Sequence, residues 1–169
     1  QHASQSFAWK AASFTSSADY TLSLGDQDRE ELIRVVRALP ANTPLHECPA
    51  EAQQLPTLGP RLAQAYEEVR SGRGFVVLRG LPVEDVTVDE FVAASWIVGR
   101  YFGEPLSQNT NGDLIGHVVD ATAEDATPRM YRSNLELRPH NDITAMITLA
   151  CWHKSKSGGA SVVVSAVTV

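Results

Sequence analysis

Over the first hundred positions, apolar residues recur mainly at helical spacing. Leu32, Val36 and Leu39 fall four and three residues apart after Asp26, acidic residues crowd the start and Pro40 supplies a stop, which together predict a surface helix. Pro60 to Arg70 is a second predicted helix, with Leu62, Ala65, Tyr66 and Val69 on one face and Gly72 and Gly74 ending it. Thr87-x-x-Glu90 is a capping box, a hydroxyl and a carboxylate that each satisfy a backbone N–H otherwise left unpaired. It opens a third predicted helix whose Phe91, Ala94, Ser95, Val98 and Phe102 share a face, closed by Gly103. Phe75-Val76-Val77-Leu78, a short continuous apolar run between Gly74 and Gly80, predicts a strand covered on both faces. Residues 1–22 show no firm period, and their aromatics (Phe7, Trp9, Phe14, Tyr20) are expected to pack the segment onto the body of the domain. Residues 40–58 hold four prolines and read as a connecting loop.

After Gly103 the pattern changes. Leu106, Leu114 to Val119 and Leu135 to Leu137 alternate with polar stretches, Ile143 to Trp152 is nearly continuous in apolar residues, and Ser161 to Val169 is rich in β-branched ones. Helices first and strands later argue against a doubly wound α/β sheet. The order predicts a mainly β fold, a sandwich or jelly roll with flanking helices. Asn134 and Glu136 alternate with Leu135 and Leu137, so one face of that strand is expected to line a pocket entrance.

Candidate chemistry sits in Arg138-Pro139-His140-Asn141-Asp142. Two positions apart at the mouth of a strand, His140 and Asp142 point to the same face. An imidazole and a carboxylate on one face are two thirds of the triad used by non-haem Fe(II) oxygenases. As a bare tripeptide the pattern is weak, because His-x-Asp arises by chance in many soluble proteins. The other histidines lack a carboxylate at that spacing with comparable context. His2 is terminal, His46 lies in the proline-rich loop beside Glu47 and Cys48, His117 alternates with apolar residues, and His153 adjoins Lys154 at a turn. Gly158-Gly159-Ala160-Ser161 reads from its glycines as a turn joining two strands.

The wider context is more specific. RSNLELRPHND and ITAMITLACWHKSKSGGASVVVS, preceded in order by GRGFVVLRGLP and GRYFGEPLSQN, resemble the TauD/TfdA family of Fe(II)/2-oxoglutarate-dependent dioxygenases from about Leu55 onward. Asn141 stands where that family usually has Thr. The resemblance implies a double-stranded β-helix of the cupin-like, jelly-roll kind in one domain over 1–169, helical up to residue 71 and entering the β core from residue 72. It implies that His140 and Asp142 ligate Fe(II). It also implies that Ser161 hydrogen-bonds the far carboxylate of the co-substrate 2-oxoglutarate, and that O2 and a small organic substrate are consumed with release of succinate and CO2. Gln108 and Asn109 match a recurring segment and are candidate substrate contacts, with a loop-stabilising role as the alternative. The family's distal His and its 2-oxoglutarate-binding Arg do not occur after Ser161, so the β-helix is expected to be truncated and the isolated chain inactive.

Composition narrows the alternatives. With 169 residues, 43% hydrophobic and 20% charged, the chain can bury a core. A net charge of −6 without a basic stripe argues against nucleic acid as a partner. No run approaches the roughly 18 apolar residues of a membrane span, and no signal pattern opens the chain, which reads as cytoplasmic. Cys48 in a loop and Cys151 in an expected buried strand imply neither a disulfide framework nor a cysteine zinc site. Beginning at Gln1 and finishing within a β-branched run, the chain reads as a fragment. A non-catalytic β-barrel binding module and a cupin-like metal isomerase or hydrolase are the rival readings.

Overall fold

The computed structural model describes residues 7–119 and 139–168. Two compact units divide the chain: residues up to Phe102 together with Ala150 onward, and Gly103–Leu149. In the first, β1 (Thr21–Ser23) leads into α1 (Asp26–Ala38), α2 (Leu58–Arg70), β2 (Val77–Arg79) and α3 (Val88–Arg100), with short 3-10 turns before β1 and in the loop between α1 and α2. β1 and β2 pair in parallel, Thr21 opposite Val77 and Ser23 opposite Arg79. A parallel pair needs a long crossover, and α1, α2 and the proline-rich loop provide it.

All three helices form where the periodicity placed them. α1 ends at Ala38, just before Pro40, and α2 begins two residues ahead of Pro60. Thr87 accepts from the Glu90 amide at 3.2 Å while the Glu90 carboxylate accepts from the Thr87 amide at 2.8 Å, so the capping box is real. Leu32, Leu58, Leu62 and Ile97 are fully excluded from solvent, and Phe91, Ala94 and Trp96 join them in the core. The N-terminal aromatics behave as expected: Trp9, Phe14 and Tyr20 surround Phe75 with ring centroids 5.1 to 5.9 Å away.

Two buried carboxylates of α1 fasten this unit. Asp28 accepts from the Gly25 amide at 2.9 Å, capping its own helix, and pairs with Arg61 of α2. Arg61 also donates to the Ser23 carbonyl at 2.7 Å, tying both helices to β1. Glu31 reaches the start of α2 instead, accepting from the Thr57 amide at 2.9 Å and the Leu58 amide at 2.8 Å. A helix start has unpaired amides and a partial positive charge, and α2 carries no acidic residue of its own in its first turn. Arg37 links α1 to α3 through Glu90 at 2.8 Å. That guanidinium, followed by the hydrogen bond from the Thr87 amide, holds the Glu90 carboxyl below its usual range.

The mainly β, double-stranded β-helix expectation is overturned: among the described residues the fold is helical, and its one sheet has two strands of three residues each. The apolar runs 143–152 and 161–168 form no ladder among the described residues. Ile143 is fully exposed, and Leu149 and Val162 are largely so. The physical reason is that a strand's backbone is satisfied only by a neighbouring strand, so β-branched composition without a partner makes no sheet. Cys151, expected in a buried strand, is exposed, whereas Cys48 in the loop is buried. The strand expected at residues 75–78 is shifted to Val77–Arg79, where Val77 and Leu78 are half-buried and Arg79 is exposed. Leu135–Leu137 lies outside the described residues.

Candidate metal centre

The unit Gly103–Leu149 carries the candidate ligands. His140 and Asp142 come together, with Nε2 of the imidazole 3.9 Å from Oδ1 of the carboxylate, and each side chain is about half exposed. Neither belongs to a strand, so the pair arises from local chain geometry rather than from the pleat that motivated it. Imidazole nitrogen and carboxylate oxygen suit a first-row divalent ion. Two metal–ligand bonds of about 2.1 Å meeting at the near-right angle of a facial pair put their donor atoms about 3.0 Å apart, so the two side chains must close by a little under about 1 Å to share one ion. No cluster of three or more His, Cys, Asp or Glu able to hold a metal occurs among the described residues. His46 lies 3.7 Å from its sequence neighbour Glu47, His117 is exposed, and His153 packs edge-on against Trp152.

Asn109 organises the preceding loop. Its Oδ1 accepts from the Asn111 amide at 2.9 Å and the Asp113 amide at 3.2 Å, and its Nδ2 donates to Asp113 Oδ2 at 2.6 Å. Gln108 donates from Nε2 to the Leu106 carbonyl at 2.7 Å and from its backbone to the Asp113 carbonyl at 2.6 Å. Three of the four hydrogen-bonding positions of the Asn109 side chain are therefore engaged in holding the loop, against one of those of Gln108. Asp113 was missed by sequence reasoning, although an Asx residue followed four positions later by Asp in a Gly-containing turn is the signal that would have found it. Asn134 lies outside the described residues.

Ser161 belongs to the other unit and is exposed. Before it, Gly158 and Gly159 both adopt left-handed backbone, at φ 69° and 68°. At φ 68° a side chain on Gly159 would be strained, which favours glycine there. The chain bends at Lys156 and Ser157, just before these glycines, and no paired strands flank the segment among the described residues.

Residues 41–169 match the family described as taurine catabolism dioxygenase TauD, TfdA family. The chain belongs to the TauD/TfdA family. FR-33289 synthase of Streptomyces rubellomurinus is 27% identical over 165 residues, covering 95% of this chain and 49% of that protein. The taurine hydroxylase-like protein SAT17 of Stachybotrys chartarum is 25% identical over 169 residues, covering 94% of this chain and 44% of that protein. The chain thus spans about half the length of these curated relatives. Among its described residues, no helix is long and apolar enough to cross a membrane.

Proposed function

We propose that this chain carries the first part of the active site of an Fe(II)/2-oxoglutarate-dependent dioxygenase that hydroxylates a small organic substrate. Membership of a dioxygenase family supports the reading, and the observation that carries it is the 3.9 Å approach of His140 Nε2 to Asp142 Oδ1. His140 and Asp142 hold the ion, and a third protein ligand comes from outside the described residues. Bound Fe(II) with 2-oxoglutarate supplies the O2 activation needed to hydroxylate a C–H bond, with succinate and CO2 released. Ser161 donates its hydroxyl to the far carboxylate of 2-oxoglutarate, which orients the co-substrate without neutralising its charge. Gln108, Asn109 and Asn134 contribute substrate-facing amides, the first two on a loop whose shape their own hydrogen bonds fix.

The test uses the protein extended to the length of its relatives, assayed for succinate formed from 2-oxoglutarate with Fe(II), O2 and ascorbate. His140→Ala and Asp142→Ala are each expected to abolish succinate release and to lower Fe(II) retention after gel filtration. Unchanged turnover in either variant would overturn the assignment.

A further inference from the structure

Two asparagines of the loop 107–113 are held on different terms. The Asn109 side chain is tied to the Asn111 and Asp113 amides and to the Asp113 carboxylate. The Asn111 side chain is exposed and makes no hydrogen bond among the described residues. Their successors differ as well. Asn109 precedes the β-branched Thr110, whereas Asn111 precedes Gly112, and none of the other asparagines in the chain precedes a glycine. Gly112 has φ 86°, and a Cβ built there would find nothing within 4 Å. Without a Cβ and in open space, its amide can turn toward the preceding side chain against little steric resistance. That amide now donates to the Asn109 carbonyl at 3.2 Å. The carbonyl also accepts from the Ser107 hydroxyl at 2.7 Å, so it keeps a partner when the Gly112 amide leaves, and the amide, on an exposed residue, exchanges it for water.

We propose that Asn111 is a site of spontaneous modification, converted to a mixture of aspartate and isoaspartate through attack by the Gly112 amide nitrogen on its side chain. The nitrogen gives up its proton to solvent base and bonds to Cγ of Asn111. The bond from Cγ to Nδ2 breaks, and Nδ2 takes a proton from solvent and leaves as ammonia, closing a succinimide ring. Water then opens the ring. Cleavage of the ring bond at Cγ gives aspartate, and cleavage at the backbone carbonyl gives isoaspartate, with the main chain rerouted through Cβ and Cγ. The net change consumes water and releases ammonia, and no oxidant or reductant takes part. Either product adds a negative charge beside Asp113, and isoaspartate also lengthens the backbone between the two amides that the Asn109 Oδ1 bridges.

The test follows the protein in warm, mildly alkaline buffer by peptide mapping and by enzymatic methylation specific for isoaspartate, with the same protein in guanidinium as the reference. The folded protein is expected to convert Asn111 at a rate within about tenfold of the denatured one, the factor that giving up one net hydrogen bond imposes. A folded rate below that range would overturn the proposal. Both products should form, faster as pH rises, with the protein moving to the acidic side on ion exchange, while Asn109 stays unchanged over the same period. Aspartate without isoaspartate is the mark of direct hydrolysis by water and would overturn the attack by Gly112, as would equal conversion at Asn109. Gly112→Ala should slow the reaction about tenfold, because its Cβ hinders the approach of the nitrogen. Asn111→Gln, whose longer side chain closes its ring far more slowly, should remove the products altogether. An unslowed Gly112→Ala variant, or isoaspartate persisting at this loop in Asn111→Gln, would place the reaction elsewhere and sink the assignment.

Discussion

The helical body around α1, α2 and α3 and the ligand-bearing stretch 103–149 are built on opposite terms. In the body each helix satisfies its own backbone, its start is capped by a named carboxylate or hydroxyl, and its apolar stripe meets another stripe. In the stretch around His140, apolar residues such as Ile143 and Leu149 face water, and hydrogen bonds such as those of Asn109 reach only a few residues along the chain. Stability therefore resides in one region and the candidate metal ligands in the other, and substitutions should divide accordingly.

The largest effect that sharpens this division comes from the ligands. His140→Ala should remove activity in the extended protein yet leave the melting temperature of the 169-residue chain within a degree or two of the parent, because an exposed side chain contributes little to packing. A large drop in melting temperature would break the comparison. Next in size is Leu32→Ala, which deletes a fully buried side chain and should cost about 2–5 kcal/mol in denaturant unfolding.

Glu31→Gln tests the cap that α1 supplies to α2. The amide can still accept one hydrogen bond but brings no charge to the positive end of the helix, so a loss of about 1–2 kcal/mol is expected. Thr87→Ala removes half of the capping box at α3 and should cost about 1 kcal/mol. The smallest effect is one of pH. Arg37 holds Glu90 below its ordinary value of 4.5, so this carboxylate favours the folded state above that value and ceases to as acid passes through its lowered range. Stability should thus fall on acidification below 4.5, and Glu90→Gln should flatten that part of the melting profile.

The same division explains what could be read in the sequence. Helices are encoded locally: Thr87 and Glu90 announce a start, Pro40 a stop, and the spacing of Leu32 and Val36 a buried face. The β1–β2 pairing was not legible, since its partners lie on either side of two helices and nothing in Thr21–Ser23 points to Val77–Arg79. The runs 143–152 and 161–168 misled for the converse reason, as they carry strand composition without a neighbour in the described residues. Asp28 and Glu31 were visible only as acids at a helix start; that one serves α1 and the other α2 depends on how the helices cross. The His140–Asp142 pair was legible as residue types at a spacing, although the strand meant to align them is absent from the described residues.

Glu31 has a consequence for how the body assembles. Its carboxylate sits 26 residues ahead of the Thr57 amide that it caps, so α2 acquires a finished start only after the proline-rich loop has closed. The delay is small, since the entropic cost of closure grows only with the logarithm of loop length. The completed start of α2 is nonetheless tied to the presence of α1, whose carboxylate it borrows.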